Sequence, residues 1–279
     1  MDTLGQVDVA RFYREGYTPT HVLSLPVVGR DPQSSYKVLE IEGLGPSAAS
    51  INTSAYSGRL GTMYNSSTLN ERNIVLTIEY RTDQTAQPSV MEARENLYNA
   101  LPPTGGVRLT FRYYSGRRVQ IDGYVETHEP TIFTSRPTVT ISLICPDPYF
   151  KEQFGKFKTG TTWTSLNLAD VLGTGLTGFE VTIDTTATYG PVMISNDVDP
   201  EFYITSPVVS RSSYRYSSVR GSKGVWANNT LILDRVVRGD FSMTLGGGNT
   251  TLLVRTFGEG NFQVRVPFTV NVTTSFIGV

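Results

Sequence analysis

Through most of this chain, hydrophobic and polar residues alternate with a period of two, the spacing that predicts β-strands. In residues 73–80, Ile74, Leu76, Ile78 and Tyr80 share one face, with Val75, Thr77 and Glu79 on the other. Val107, Leu109, Phe111 and Tyr113 repeat the pattern, with Arg108, Thr110 and Arg112 opposite. Ser115-Gly116 then leads into a second run, RVQIDGYVE, so the pair reads as a β-hairpin with the glycine in its turn. Val139, Ile141, Leu143 and Cys145 again point to one side. One segment breaks the rhythm: Val90, Ala93, Leu97, Tyr98 and Leu101 fall on a single helical stripe. Ser89 and Glu92 form a capping box before it, and Pro102-Pro103 end it. One helix is therefore expected, about residues 89–101, covering an opening or a face of the surrounding sheet.

After Cys145 the pattern changes. The two prolines of CPDPYF lack N–H donors and cannot sit in a central strand, so the segment reads as a strand exit. The polar run KEQFGKFKTGTT that follows reads as a linker. Beyond it come FEVTID, LILDRVV and TTLLVRT, then residues 262–272, where Phe262, Val264, Val266, Phe268, Val270 and Val272 line one dry face. Pro267 lies on the wet side and marks an edge or a bulge. The expected fold is mainly β. Residues 1–151 form a sandwich or barrel-like domain with one helix, and residues 152–279 form a second β-sandwich.

Charge narrows the function classes. The net charge is −1, from 24 basic and 25 acidic residues spread evenly, which argues against a nucleic-acid binder or a polybasic membrane protein. The opening MDTLGQVDVARF is not a secretory signal, and no stretch approaches the roughly 20 apolar residues of a spanning helix. A lone Cys145 suits a reducing cytoplasm.

Candidate chemistry is sparse. Gly173–Gly178 matches GxGxxG, but a strand pattern follows where a nucleotide fingerprint needs a helix, so a turn is the better reading. Asp197, Asp199 and Glu201 cluster without the glycine and distal glutamate of a calcium loop, and read as a solvated turn. Arg238-Gly239-Asp240 reads as ordinary turn chemistry. The five Asn-x-Ser/Thr sequons, from Asn52 to Asn271, read as turns and strand surfaces. The two histidines, His21 and His128, lie outside ligand spacing with Cys or carboxylates. His128, beside Glu129-Pro130, reads as a hydrogen-bonded corner, and Cys145 as a buried inert thiol. No catalytic, cofactor or metal site is expected.

Residues 38–150 resemble the distal tail protein (Dit) family of long-tailed phages. The resemblance is carried by Glu42-Gly43-Leu44 with Pro46, Glu71-Arg72-Asn73-Ile74, and Arg94 and Tyr98 in the helix. It continues with Gly123-Tyr124-Val125-Glu126, Ile132-Phe133-Thr134, and the run from Ile141 through Cys145-Pro146-Asp147-Pro148-Tyr149-Phe150. In the second half, Gly246-Gly247-Gly248-Asn249-Thr250 and the closing Phe276-Ile277-Gly278-Val279 are similar to the family's galectin-like C-terminal domain. The resemblance implies a structural virion protein at the distal end of the tail, assembled in the host cytoplasm, and not an enzyme. Its first domain would form a hexameric ring joining the tail tube to the tail-tip hub, with DNA passing through the channel without specific binding. Its second domain would support receptor-binding proteins and other host-attachment components.

Two other classes stay open. A carbohydrate-binding sandwich would stack sugars on exposed aromatic residues, and Trp163, Trp226, Tyr214 and Tyr216 are the candidate glycan or partner contacts. Their plainer role is packing or interface contact. A tail-associated hydrolase would need carboxylates paired only in space.

Overall fold

The computed structural model describes residues 3–12, 20–27, 34–58, 60–81, 89–131, 134–153, 156–160, 163–167, 178–185, 192–196, 202–204, 213–219, 222–239, 241, 243–244, 251–256 and 268–276. Its contacts divide the chain into two compact units, Met1–Phe150 with Gly278–Val279, and Lys151–Ile277.

In the first unit the strands are β1 (Leu4–Phe12), β2 (Thr20–Pro26), β3 (Tyr36–Glu42), β4 (Ala49–Ala55), β5 (Thr62–Leu69), β6 (Arg72–Tyr80), β7 (Gly106–Tyr113), β8 (Arg118–Thr131) and β9 (Thr138–Cys145). The helix α1 (Val90–Ala100) lies between β6 and β7. Seven strands pair antiparallel in the order β2-β1-β7-β8-β9-β6-β3. Val27, just past β2, makes one parallel bridge to Val38 of β3, which brings the two ends of the circuit together as in a barrel.

Strand β8 makes this circuit possible. Its first part pairs with β7 as far as Gly123, and from Tyr124 onward it pairs with β9. Each strand turns its alternating apolar face inward. Ile74, Leu76 and Ile78 of β6 lie opposite Leu143, Ile141 and Val139 of β9, and all six are buried. Val107, Leu109 and Phe111 of β7 meet the same interior, as does Cys145. Fully burying such a side chain contributes about 1.5–3 kcal/mol. The expected hairpin forms at Ser115-Gly116, where the Gly116 N–H donates to the Tyr113 carbonyl at 3.0 Å. Polar groups enter as well, Asp8 among them: it is buried, accepts from Gln6 Nε2 at 2.6 Å and Ser24 Oγ at 2.7 Å, and pairs with Arg112.

The helix starts where the capping box places it. Glu92 N–H donates to Ser89 Oγ, and Ser89 N–H donates to the Glu92 carboxylate at 2.8 Å. Its stripe buries Ala93, Leu97 and Ala100, followed by Leu101. Among the described residues it is the one α-helix.

At the junction stands β10 (Phe150–Glu152), followed by β11 (Lys156–Gly160), β12 (Trp163–Asn167), β13 (Phe179–Thr185), β14 (Val192–Asn196), β15 (Phe202–Ile204), β16 (Ser213–Ser217), β17 (Gly224–Ala227), β18 (Thr230–Leu231), β19 (Val236–Arg238), β20 (Thr251–Thr256) and β21 (Phe268–Phe276). In the second unit one antiparallel sheet runs β11-β21-β13-β16-β17-β18 and another β12-β20-β14-β15-β19. Val181, Ile183, Val270 and Val272 of the first sheet and Val192, Ile194, Leu252 and Val254 of the second are buried, as a sandwich core requires.

Two local expectations change. The run read as a linker carries β10 and β11, and β11 pairs with β21 from Lys156↔Val272 to Gly160↔Phe268. A ladder to an existing strand satisfies its backbone without the alternation that would have revealed it. LILDRVV is not one strand: a 3-10 turn, Leu233–Arg235, separates β18 from β19. Leu231, Leu233 and Val237 are all exposed there, so no buried face holds the segment extended. Residues 262–267, including Pro267, lie outside the described residues, while Phe268, Val270 and Val272 continue that pattern and are buried.

Candidate assembly site

Three of the resembling motifs meet around one side chain. Arg72 opens β6 and is 3% exposed, facing the interior where alternation would put an apolar residue. Its Nη1 donates to the carbonyls of Gly43, at 2.5 Å, and Gly45, and its Nε donates to the Pro148 carbonyl at 2.9 Å. The guanidinium stacks 4.5 Å above the Phe150 ring. Burial pulls its pKa below the ordinary arginine range, while nearby Cys145, across the ladder at the Arg72↔Cys145 pair, acts the other way. Gly43 is obligatory at this spot. Its φ is +85°, and a Cβ would lie 2.0 Å from the Asn73 carbonyl oxygen. One arginine thus fastens the end of β3 to the Cys145–Phe150 exit.

From that fastening a ribbon departs. Strands β4 and β5 pair with each other from Ala49↔Leu69 to Ala55↔Thr62, and among the described residues with nothing else. All seven residues of β4 are exposed, and of β5 only Leu69 is partly covered. The ribbon's polar groups bond among themselves: Ser50 Oγ to Asn70 Oδ1 at 2.7 Å, Asn65 Nδ2 to Ser54 Oγ at 2.5 Å, and Tyr64 Oη to Ser67 Oγ at 2.8 Å.

The helix is tied to three strands. Tyr36 of β3 donates its hydroxyl to the Ala93 carbonyl at 2.7 Å. Arg11 of β1 donates to the Asn99 carbonyl at 2.5 Å. His128 of β8 lies with Nε2 2.7 Å from the Leu101 carbonyl. A carbonyl only accepts, so Nε2 carries the proton; the buried Nδ1 has no hydrogen-bond partner among the described residues. The ring meets Tyr98 edge to face at 5.2 Å, and Arg94 lies over Tyr98. His128 is hydrogen-bonded as expected, but it stands within β8, which runs on to Thr131, and so closes a helix C-terminus rather than a strand corner.

The aromatic candidates fare differently. Tyr214 and Tyr216 are each 1% exposed, and Tyr216 packs on Phe179 and Phe241. They offer no ring face to a sugar. Trp226 is half-buried, with the Arg215 guanidinium 4.0 Å over its ring and Glu180 3.9 Å from Arg215. Burial raises the Glu180 pKa, against the attraction of Arg215 and Lys151. Trp163 begins β12, and its side chain lies outside the described residues, as do the side chain of His21, Gly173–Thr177, the Asp197, Asp199 and Glu201 cluster, Asp240, and Gly246–Thr250. Among the described residues no three His, Cys, Asp or Glu side chains gather as metal ligands would. Among the described residues no helix is long and apolar enough to cross a membrane.

No family model matches the chain, and no curated protein does. Solved structures do. A crystal structure of the SPP1 Dit protein, titled a paradigm of the hub adsorption apparatus in phages infecting Gram-positive hosts, has a TM-score of 0.56 and 16% identity, over 87% of this chain and 94% of that one. The phage p2 baseplate in its activated conformation with Sr gives 0.48 and 8% identity, over 99% and 100%. Over most of its length the chain has the fold of the SPP1 Dit protein.

Proposed function

We propose that this chain is a structural component of a phage tail tip, a distal tail protein, and not an enzyme. Copies of its first unit close into a ring, six-fold by the family resemblance. The ring joins the tail tube to the tip hub at the distal end of the virion tail, and it assembles in the host cytoplasm. The second unit supports receptor-binding and other attachment proteins. The observation that carries this reading is the β4–β5 ribbon, an exposed, self-bonded projection anchored by Arg72 to a closed barrel. A monomer gains nothing by projecting an isolated two-stranded ribbon into water, where such ribbons are marginally stable. The fold shared with a phage hub protein adds support. A net charge of −1 suits a channel that DNA crosses without binding.

Negative-stain electron microscopy of the full chain tests this: a closed ring about 100 Å wide is expected. A monomer at every concentration, even with the adjoining tail components added, overturns it. The carbohydrate-binding reading retains Trp226, whose indole reaches the surface beside Arg215. Glycan binding by a monomer, lost in Trp226→Ala, favours that reading.

A further inference from the structure

Unpaired N–H and C=O groups at a sheet edge invite another strand, and proteins usually guard such edges with charge, proline or cover. In the second unit β18 pairs with β17 alone and β19 with β15 alone among the described residues, so each has a free edge. The 3-10 turn Leu233–Arg235 joins them into one edge segment, residues 230–238. By contrast β11, which pairs with β21 alone among the described residues, carries Lys156 and Lys158. Residues 230–238 contain no lysine and no proline; Asp234 and Arg235 lie in the turn and Arg238 at the end. The segment instead exposes apolar side chains, with Leu231 50%, Leu233 49% and Val237 61% exposed. Leu231 stands across the ladder from half-buried Trp226. A Cβ at Gly224 would meet both side chains, 2.7 Å from the indole and 3.2 Å from Leu231, so the two share one apolar surface.

We propose that the free edge of β18 is a docking site for a separate attachment protein, which adds to it an extended, uncharged, apolar strand. The inference rests on the tail-tip reading and names the surface of the second unit that takes a partner. The ladder supplies the geometry. Thr230 pairs with Ala227, and the Ile232 N–H donates to the Val225 carbonyl at 2.9 Å. Alternation along an antiparallel strand then turns the N–H and C=O of Leu231 to the free edge. A strand added there gains main-chain hydrogen bonds, and its alternate side chains meet Leu231 and Trp226. Charge points to the same occupant. Asp234 and Arg235 cancel formally within the turn, so nothing on β18 attracts a strongly acidic or basic partner. Size argues against a second copy. Three half-exposed aliphatic side chains beside one indole fall well short of the about 800 Å² per partner that a stable interface of two folded surfaces buries. A strand is held on so small a patch because its backbone bonds add to the apolar contact.

The test uses the full chain, with each of the other purified tail-tip proteins of the same virion as probe. One of them is expected to bind and to slow hydrogen–deuterium exchange in residues 230–232 by about tenfold or more. Overlapping peptides from that protein are expected to trace the binding to an uncharged segment of alternating apolar residues. Leu231→Lys places a charge at an exposed edge position and is expected to weaken binding by about tenfold or more, with circular dichroism and melting unchanged. Leu233→Lys, which lies off the Trp226 ladder, gives a second reading if Leu231→Lys disturbs the fold. Binding as tight in the lysine variants as in the wild type overturns the proposal, as does a bound segment that is charged or helical. Protection of residues 230–232 when the chain forms rings by itself also overturns it, because the occupant is then a second copy. Rings that form while no tail-tip protein protects these residues overturn the docking edge and leave the tail-tip reading standing. A chain that never forms rings, with any tail component, removes that reading itself.

Discussion

Gly123 lies against Cys145: a Cβ at position 123 would sit 2.8 Å from the thiol sulfur and 3.1 Å from the Ile144 carbonyl oxygen. The contact falls where β8 leaves its pairing with β7 and takes up β9, so the closeness of the two residues is the sharpness of the barrel's corner.

Gly123→Ala is therefore expected to destabilise the first unit by about 1–3 kcal/mol, the usual cost of overpacking. Much of that cost is assigned to the sulfur. In a double-mutant cycle, Cys145→Ala should recover part of it, while Cys145→Ala alone leaves a small cavity. Urea denaturation of the four proteins checks the coupling; strictly additive losses would mean that the Ile144 carbonyl sets the limit.

The strands that build this corner were legible because burial imposes a strict period. Residues 73–80, 107–113 and 138–145 alternate and are strands, and Ser89 and Glu92 cap the helix from the positions their spacing implied. The ribbon was not legible for the same reason in reverse. With no buried face, Ala49–Ala55 and Thr62–Leu69 carry no period to detect. Arg72 stood out as part of a motif, but its role depends on three carbonyls 27 to 76 residues away in sequence. Tyr214 and Tyr216 stood out only as aromatic residues that could contact a glycan or a partner, and composition alone does not tell an inward ring from an outward one; both are buried.

Stability is expected to fall at alkaline pH. Burial pushes the Cys145 thiol up to about 12 against a nearby Arg72, and pushes the Tyr36 phenol up to about 12 as well. The ordinary values are 9.0 and 10.0. Between those values and about 12 the folded state holds protons that the unfolded chain has released, so the slope of stability against pH is negative. The contribution is complete below pH 9 and declines above it. Denaturation midpoints across this range check the sign, and Cys145→Ala should flatten the first part of the decline. The same burial makes the thiol slow to react with a disulfide reagent under native conditions and fast in denaturant.

Two buried tyrosines should respond oppositely to losing a hydroxyl. The Tyr36 hydroxyl donates to the Ala93 carbonyl, and Tyr36→Phe is expected to cost about 1 kcal/mol. The Tyr80 hydroxyl is buried with no hydrogen-bond partner among the described residues, so Tyr80→Phe removes only a desolvated group. It should be neutral or stabilising by up to about 1 kcal/mol. A Tyr80→Phe loss as large as that of Tyr36→Phe would show that the Tyr80 hydroxyl is satisfied in solution.

Arg72→Ala strips donors from the carbonyls of Gly43, Gly45 and Pro148 and is expected to cost about 3 kcal/mol or more. Arg72→Lys keeps the charge, but an ammonium cannot span carbonyls on two sides while stacking on Phe150, so an intermediate loss is expected. Hydrogen exchange localises the damage: amides near Gly43–Gly45 and Pro148–Phe150 should open together, because one side chain holds both segments. Opening of only one of them would show that the fastening acts on a single side.

The division of labour between the two units yields the last expectation. The closed circuit of strands, the helix that seals it and the projecting ribbon all belong to residues before 151, so assembly should belong there too. Residues 1–151 expressed alone contain the paired cores of β6, β7, β8 and β9 and should fold without the second unit. They should also form rings. Residues 152–279 carry two sheets with their own buried cores, Val181, Ile183, Val270 and Val272 on one and Val192, Ile194, Leu252 and Val254 on the other, and should behave as a soluble monomer. Light scattering on the two fragments decides. An oligomeric second fragment beside a monomeric first would reverse the assignment. A first fragment that stays monomeric with the tube and hub proteins present would end it, since the ribbon and its anchor would then be present and unable to assemble.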